Sequence, residues 1–114
     1  MSQNFLEILL LDERDAMSRL GGNTSIYAML LRKFTENTYI EQMESAAASG
    51  NAAEAAEITH TVKGLAANLS LSRLHAVAAE LDAAYKKGES PAGLPGQLKD
   101  VYGETLAAIR DYLA

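Results

Sequence analysis

Apolar residues recur along this chain at intervals of three and four positions, and no segment alternates strictly between apolar and polar residues. The first spacing is typical of amphipathic helices, whereas strict alternation would indicate strands. The pattern therefore predicts an all-α fold, which we expect to be an antiparallel four-helix bundle with short N-terminal helices packed across one end.

Glycine, proline and capping residues divide this pattern into separate helices. The predicted elements are a short helix from Asn4 to Leu11, a second from Arg14 to Leu20, a long helix from Asn23 or Thr24 to Ser49, a helix over residues 51–69, another from the turn at 70–72 to about Gly88, and a last helix beyond Gly96. The only clear linker is the segment 88–96, which contains Pro91 and Pro95.

The chain has 114 residues, 48% of them hydrophobic, which is enough for one core and too few for two comfortable domains. We therefore expect a single domain over residues 1–114. The absence of cysteine excludes a disulfide framework, a cysteine-based zinc site and a thiol nucleophile. Neither GxxxxGK[ST] nor GxGxxG occurs, so the sequence offers no phosphate-binding loop for ATP.

The charges are scattered: 15 acidic and 10 basic residues give a net charge of −5, without a cluster of Lys and Arg. Nucleic acid is therefore not an expected partner. No apolar stretch approaches the roughly 20 residues that cross a bilayer, and the apolar run at 5–11 lacks the features of a signal peptide. We expect a cytoplasmic protein without membrane contact.

One histidine lies away from the apolar stripe of its helix. In the helix over 51–69 the stripe is centred near Val62, and at about 100° per residue His60 projects close to the opposite side. His60 must therefore face solvent or a partner. Lys63 and Gly64 follow three and four positions later and share its surface patch. The same side carries the small residues Ala53, Ala56 and Ala67.

This patch combines a nucleophile with room for a close approach by another protein. A neutral imidazole is a nucleophile near physiological pH, and it can take a phosphoryl group on one nitrogen when an acceptor holds the other. Lys63 would lend positive charge to the transferring phosphoryl oxygens. Gly64 would leave the approach to His60 open.

The turn at 70–72 folds two helices into a hairpin in which His60 stands level with residues near position 82. Asp82 is therefore either an acceptor for the inner ring nitrogen of His60, which would fix the tautomer, or a solvent-facing charge, and both interpretations stay open. His75 has no comparable neighbours, and we expect it to be an ordinary surface residue.

Two other histidine-based sites fit the sequence poorly. Glu57-x-x-His60 is the spacing found in di-iron bundles, but that site needs a second pair inside the bundle, and Ser72 precedes His75 by three positions. We therefore predict no metal site. A histidine-kinase dimerisation helix typically has an acidic residue after its histidine, where this chain has Thr61.

Several short segments resemble the signature of bacterial histidine-containing phosphotransfer (HPt) domains, which centres on His-x-x-Lys-Gly. They are His60-Thr61-Val62-Lys63-Gly64, Asn68-Leu69, Arg73-Leu74 and Leu81-Asp82, with an upstream lead-in at residues 16–23, Tyr27 and Leu30-Leu31. The resemblance spans about residues 12–87. Ser70 departs from it where a turn glycine is common, and Leu65 where a small residue is usual.

This resemblance implies a four-helix bundle that is phosphorylated on His60 and has neither catalytic turnover nor a cofactor of its own. Its partners would be receiver domains of response regulators or hybrid sensor kinases, which dock on the patch formed by Ala53, Ala56, Gly64 and Ala67. We expect such a domain to be a monomer. The alternative is a helical adaptor of the same fold that binds receivers or other partners without carrying phosphate.

Overall fold

A computed structural model describes residues 7–89 and 93–114 of the chain, and within those residues it contains six α-helices and no strand. The helices are α1 (Glu13–Leu20), α2 (Thr24–Thr35), α3 (Tyr39–Ala48), α4 (Ala52–Asn68), α5 (Ser72–Lys86) and α6 (Leu94–Leu113). The all-α prediction is confirmed. None of the helices in this described part of the chain is long and apolar enough to cross a membrane.

Of the two predicted N-terminal helices, the described residues contain one as an α-helix. Residues 4–6 of the first predicted helix, Asn4 to Leu11, lie outside the described residues, and residues 7–11 are not α-helical. Instead, α5 uses their backbone: the Arg73 N–H donates to the Leu9 carbonyl at 2.9 Å, and Arg73 Nε donates to the Ile8 carbonyl at 2.8 Å. The predicted helix from Arg14 to Leu20 is present as α1.

The prediction of one long helix up to Ser49 is wrong, because the helix is interrupted between α2 and α3. Asn37 causes the break: its amide donates to the Phe34 carbonyl, and its Oδ1 accepts from the Tyr39 N–H at 3.0 Å and from the Tyr102 hydroxyl of α6. An asparagine that satisfies neighbouring backbone groups competes with helix continuation. At the other end, Asn23 caps α2 by accepting from the Ile26 N–H at 3.0 Å.

The turn between α4 and α5 uses a serine in the left-handed region. Ser70 has φ 55°, where glycine is usual, and the Leu71 N–H donates to the Ala66 carbonyl at 2.9 Å to close the helix end. The Ser70 hydroxyl donates to Asp15 Oδ2 of α1 at 2.6 Å, and its carbonyl accepts from the Asp12 N–H at 2.9 Å. These bonds stabilise the left-handed conformation of Ser70, the residue that departs from the HPt pattern at this turn.

The last helix begins earlier than predicted. The structure starts α6 at Leu94, within the segment 88–96 that the sequence marked as a linker. Pro95 permits this start because a proline in the first turn of a helix lacks only an N–H that would have no helical partner. Residues 90–92 of the linker lie outside the described residues.

Packing among the described helices leaves one face of α4 uncovered. The helix α4 packs against α3 and α5, α5 also packs against α6, and α2 packs against α1 and α6. The predicted stripe of α4 faces this core: Ala55, Ile58, Val62 and Leu69 are buried, and Leu65 is partly buried at its edge. Burial of this stripe turns the opposite face of α4, with His60, outward.

Candidate functional site

His60 projects from the middle of α4, and its side chain is 61% exposed. Val62, at the centre of the stripe, is 1% exposed, so the two residues face opposite ways as the helical period requires. Nδ1 of His60 lies 3.3 Å from Oδ1 of Asp82 on α5. The hairpin thus brings together the histidine and the aspartate, and the other ring nitrogen, Nε2, lies across the imidazole from this contact.

Asp82 is a buried carboxylate with three basic neighbours. Its side chain is only 4% exposed, although it lies at the outer edge of the α4–α5 pair. Lys63 Nζ lies 3.0 Å from Oδ2 and Lys86 Nζ lies 2.9 Å from the same oxygen, while Oδ1 faces His60. The sequence left open whether Asp82 faces His60 or solvent, and in the structure Asp82 is buried beside the imidazole.

The lysines determine the charge of this carboxylate. Burial alone would raise the pKa of Asp82, but hydrogen bonds and charge from Lys86 and Lys63 outweigh burial and lower the pKa from 3.8 to about 2. Asp82 is therefore ionised at neutral pH and can only accept hydrogen bonds. Nδ1 of a neutral His60 consequently carries the proton, and Nε2 keeps the lone pair.

A shallow recess of about 340 Å³ lies beside His60. Its other walls come from Ala53, Ala56 and Glu57 of α4 and from Asp82, Tyr85 and Lys86 of α5. Two of the four residues predicted to form the docking patch, Ala53 and Ala56, therefore line it directly. The small side chains of Ala53 and Ala56 leave the imidazole accessible from the recess.

The other predicted patch residues lie further along the same helix. Gly64 is exposed, and a Cβ atom added to it would meet no atom within 4 Å. Ala67 is partly buried. The surface beyond His60 is thus open at Gly64, as the sequence indicated, but it is not part of the recess.

The sequence patterns did not point to Lys86. A signal was available, because Lys86 follows Asp82 by four positions on α5, the spacing at which an acidic and a basic side chain pair on a helix. Across residues 7–89 and 93–114, no group of three or more His, Asp or Glu side chains is arranged to hold a metal ion. His75 is partly buried on α5 and does not line the recess.

Comparison with known proteins gives one match. A family model described as the Hpt domain matches residues 29–113, which is most of the chain and includes α4 and α5 in full. Comparisons with curated proteins and with solved structures gave no significant match. The matched segment contains His60 and Asp82, and the resemblance on residues 12–87 falls largely within it. The chain therefore belongs to the Hpt domain family.

Proposed function

We propose that this protein carries a phosphoryl group on His60 between the aspartyl-phosphate receiver domains of a phosphorelay. Membership of the Hpt family implies histidine phosphotransfer in phosphorelays. The observation that carries the assignment to His60 is its geometry: one ring nitrogen is held by the buried, ionised Asp82, while the ring itself is exposed on an open face of α4.

The proposed step exchanges one bond of the phosphorus atom for another. The lone pair on Nε2 of His60 attacks the phosphoryl group of a receiver's aspartyl phosphate, and a P–N bond forms as the P–O bond breaks. The receiver's carboxylate leaves with the electron pair of the P–O bond. The proton on Nδ1 stays between the ring and Asp82, whose negative charge stabilises the positive charge that develops on the imidazole.

The surroundings of His60 supply orientation and access without a cofactor of the protein's own. Asp82 fixes the tautomer, and Lys63, bound to Asp82 at 3.0 Å, adds positive charge one turn from the nucleophile. A receiver would dock on Ala53, Ala56, Gly64 and Ala67 and reach His60 over these small side chains. For this role we expect a monomeric, cytoplasmic antiparallel four-helix bundle, which passes the phosphoryl group on and does not turn over substrate.

Transfer of label from a receiver tests this proposal. A panel of receiver domains is phosphorylated with labelled acetyl phosphate, freed of the donor and mixed with the protein. The label should move to this protein in an acid-labile, alkali-stable form, which is the behaviour of phosphohistidine. Because the chain has two histidines, His60→Gln should abolish labelling, whereas the matched control His75→Gln should retain it.

Two results would contradict the assignment. Labelling of His60→Gln at the wild-type level would place the phosphoryl group elsewhere. Receivers that bind the protein but never label it would indicate an adaptor of the same fold that carries no phosphate.

A further inference from the structure

Two lysines share the carboxylate of Asp82 but stand in different surroundings. Lys63 reaches Oδ2 from α4 at 3.0 Å, and its side chain is 30% exposed. Lys86 reaches the same oxygen from α5 at 2.9 Å, and its side chain is 62% exposed. Of the two, only Lys86 lines the recess beside His60. The two ammonium groups are therefore equivalent in distance to Asp82 and different in access to the recess.

Phosphorylation of His60 would change the charge balance of this recess. Its walls carry two carboxylates, Glu57 and Asp82, and one ammonium group, that of Lys86. A phosphoryl group brings a charge of roughly −1.5 to −2. Negative groups crowded at one site repel each other, so the phosphorylated form is stabilised by a cation that moves to the phosphoryl oxygens.

The exposure of the two lysines indicates which one can move. An ion pair with a well-exposed partner contributes little and exchanges readily, whereas a more enclosed pair is less screened by water. A lysine also has a flexible four-carbon stem, so its ammonium group can change partners without movement of the helix. Lys86 has both the exposure and the position in the recess, while Lys63 is the more enclosed partner of Asp82.

We propose that Lys86 is the residue that binds the phosphoryl group on His60, while Lys63 stays on Asp82 and keeps that carboxylate against Nδ1. On phosphorylation, the ammonium group of Lys86 exchanges Oδ2 of Asp82 for a phosphoryl oxygen. No proton is transferred in this exchange, and no covalent bond changes beyond those of the transfer step itself. The inference rests on the proposed function. It differs from the expectation from the sequence, in which Lys63 was the cation that contacts the phosphoryl oxygens.

The equilibrium of phosphotransfer measures this contact directly. When a phosphorylated receiver and this protein reach equilibrium, a residue that binds the phosphoryl group raises the fraction of label on His60. We expect Lys86→Gln to lower the equilibrium constant by about threefold to tenfold, the range of a modest charge contact, and Lys86→Arg to restore most of it. The neighbouring Lys87→Gln is the matched control: it removes the same charge from an exposed residue at the end of α5 and should have little effect.

A second donor separates this inference from the proposed function. Phosphoramidate phosphorylates histidine chemically and needs no docking surface, so the lifetime of its product can be compared among the variants even when no receiver in the panel is cognate. Lys86→Gln should shorten that lifetime, and thermal melting should show that all variants stay folded. Wild-type protein that is labelled normally, together with an unchanged equilibrium and lifetime in Lys86→Gln, would overturn the role of Lys86 alone.

Other outcomes are equally decisive. A lower equilibrium constant and a shorter phosphohistidine lifetime in Lys63→Gln, with both unchanged in Lys86→Gln, would assign the phosphoryl contact to Lys63. An equal decrease of the equilibrium constant in Lys86→Gln and Lys87→Gln would show that the effect comes from net charge and not from a contact of Lys86. Absence of label on the wild type from both donors would remove the proposed function and this inference together.

Discussion

Two aspartates of this protein accept similar hydrogen bonds but differ in burial and in the groups that they contact. Asp15 on α1 accepts from the Ser70 hydroxyl at 2.6 Å and from Arg19 Nε at 3.1 Å, and its side chain is 43% exposed. Asp82 on α5 faces three basic side chains and is 4% exposed. Hydrogen bonds from Ser70 and Arg19 lower the pKa of Asp15, and those from Lys86 and Lys63 lower that of Asp82 against the effect of burial.

The difference lies in what each carboxylate holds. Asp15 holds the hydroxyl of a serine in a left-handed turn, a group that has no further reaction to perform. Asp82 holds one nitrogen of an exposed imidazole whose other nitrogen keeps its lone pair. A lowered pKa therefore does not by itself mark a functional aspartate. The feature that supports the proposed function is instead a buried carboxylate in contact with an exposed imidazole.

Replacement of Asp82 should have the largest effect on stability. Its pKa is lowered from 3.8 to about 2, so its ionised form stabilises the fold fully above about pH 4, and this contribution is lost as the pH falls toward 2. We expect Asp82→Asn to lower the free energy of unfolding by about 2 kcal/mol at pH 7. The difference from wild type should shrink between pH 4 and pH 2 in urea unfolding experiments.

The control for this experiment is Asp111→Asn, which neutralises an exposed aspartate of α6. Its stability should stay within about 0.5 kcal/mol of wild type. A stability gap for Asp82→Asn that does not change between pH 7 and pH 2 would contradict the charge-based account of this site.

Closing the open surface should affect transfer and spare the fold. The space around Gly64 is free, so Gly64→Gln should keep or raise stability, by up to about 1 kcal/mol through a better helix residue. Its side chain would stand where a receiver approaches His60. We expect transfer from a receiver to slow by at least about tenfold, which corresponds to ~1.4 kcal/mol, while phosphorylation by phosphoramidate continues at the wild-type rate.

Gly103 on α6 offers a matched control for this substitution. It is also exposed and helical, and an added Cβ would meet no atom within 4 Å. Gly103→Gln should therefore reproduce the change in stability without the loss of transfer. Unimpaired transfer in Gly64→Gln, or a loss in both variants, would remove Gly64 from the docking surface.

Substitutions at Ser70 should have the smallest effect on stability. They should show that the bond to Asp15 serves the fold alone, in contrast to the contacts of Asp82. Ser70→Ala and Ser70→Gly both remove the bond to Asp15, but only glycine is free of strain at φ 55°. We therefore expect Ser70→Gly to be more stable than Ser70→Ala by about 1 kcal/mol. Both variants should accept label from a receiver at the wild-type rate, and slow transfer in either would show that the turn at Ser70 contributes to the site.

The parts of the fold that the sequence predicted well are those set by periodic burial. The stripe on α4 predicted the direction of His60, and the short turn at 70–72 predicted that position 82 lies level with it, because both follow from helical geometry. The break at Asn37 could not be predicted in the same way. It depends on Tyr102, 65 positions away, and on side-chain bonds to the local backbone that compete with the helix.

The same distinction applies to the candidate site. His60, Lys63 and Gly64 stand out because they share one helix face, whereas the burial of Asp82 depends on how closely α5 packs against α4. The sequence predicted that Lys63 lends positive charge to the phosphoryl oxygens but did not indicate its ion pair with Asp82, which the structure shows at 3.0 Å. The Lys63–Asp82 pair joins two helices and so depends on tertiary packing, whereas the Lys86–Asp82 pair follows from the spacing of four positions within α5.

The most direct test of the central claim is a chase between two receivers. Protein labelled by one phosphorylated receiver is separated from it and mixed with a second, unlabelled receiver. The account predicts that label leaves His60 and appears as acid-stable, alkali-labile aspartyl phosphate on the second receiver, faster than it is released as inorganic phosphate. Label that is lost only to water, with every receiver in the panel, would contradict a role for this protein as a phosphoryl carrier.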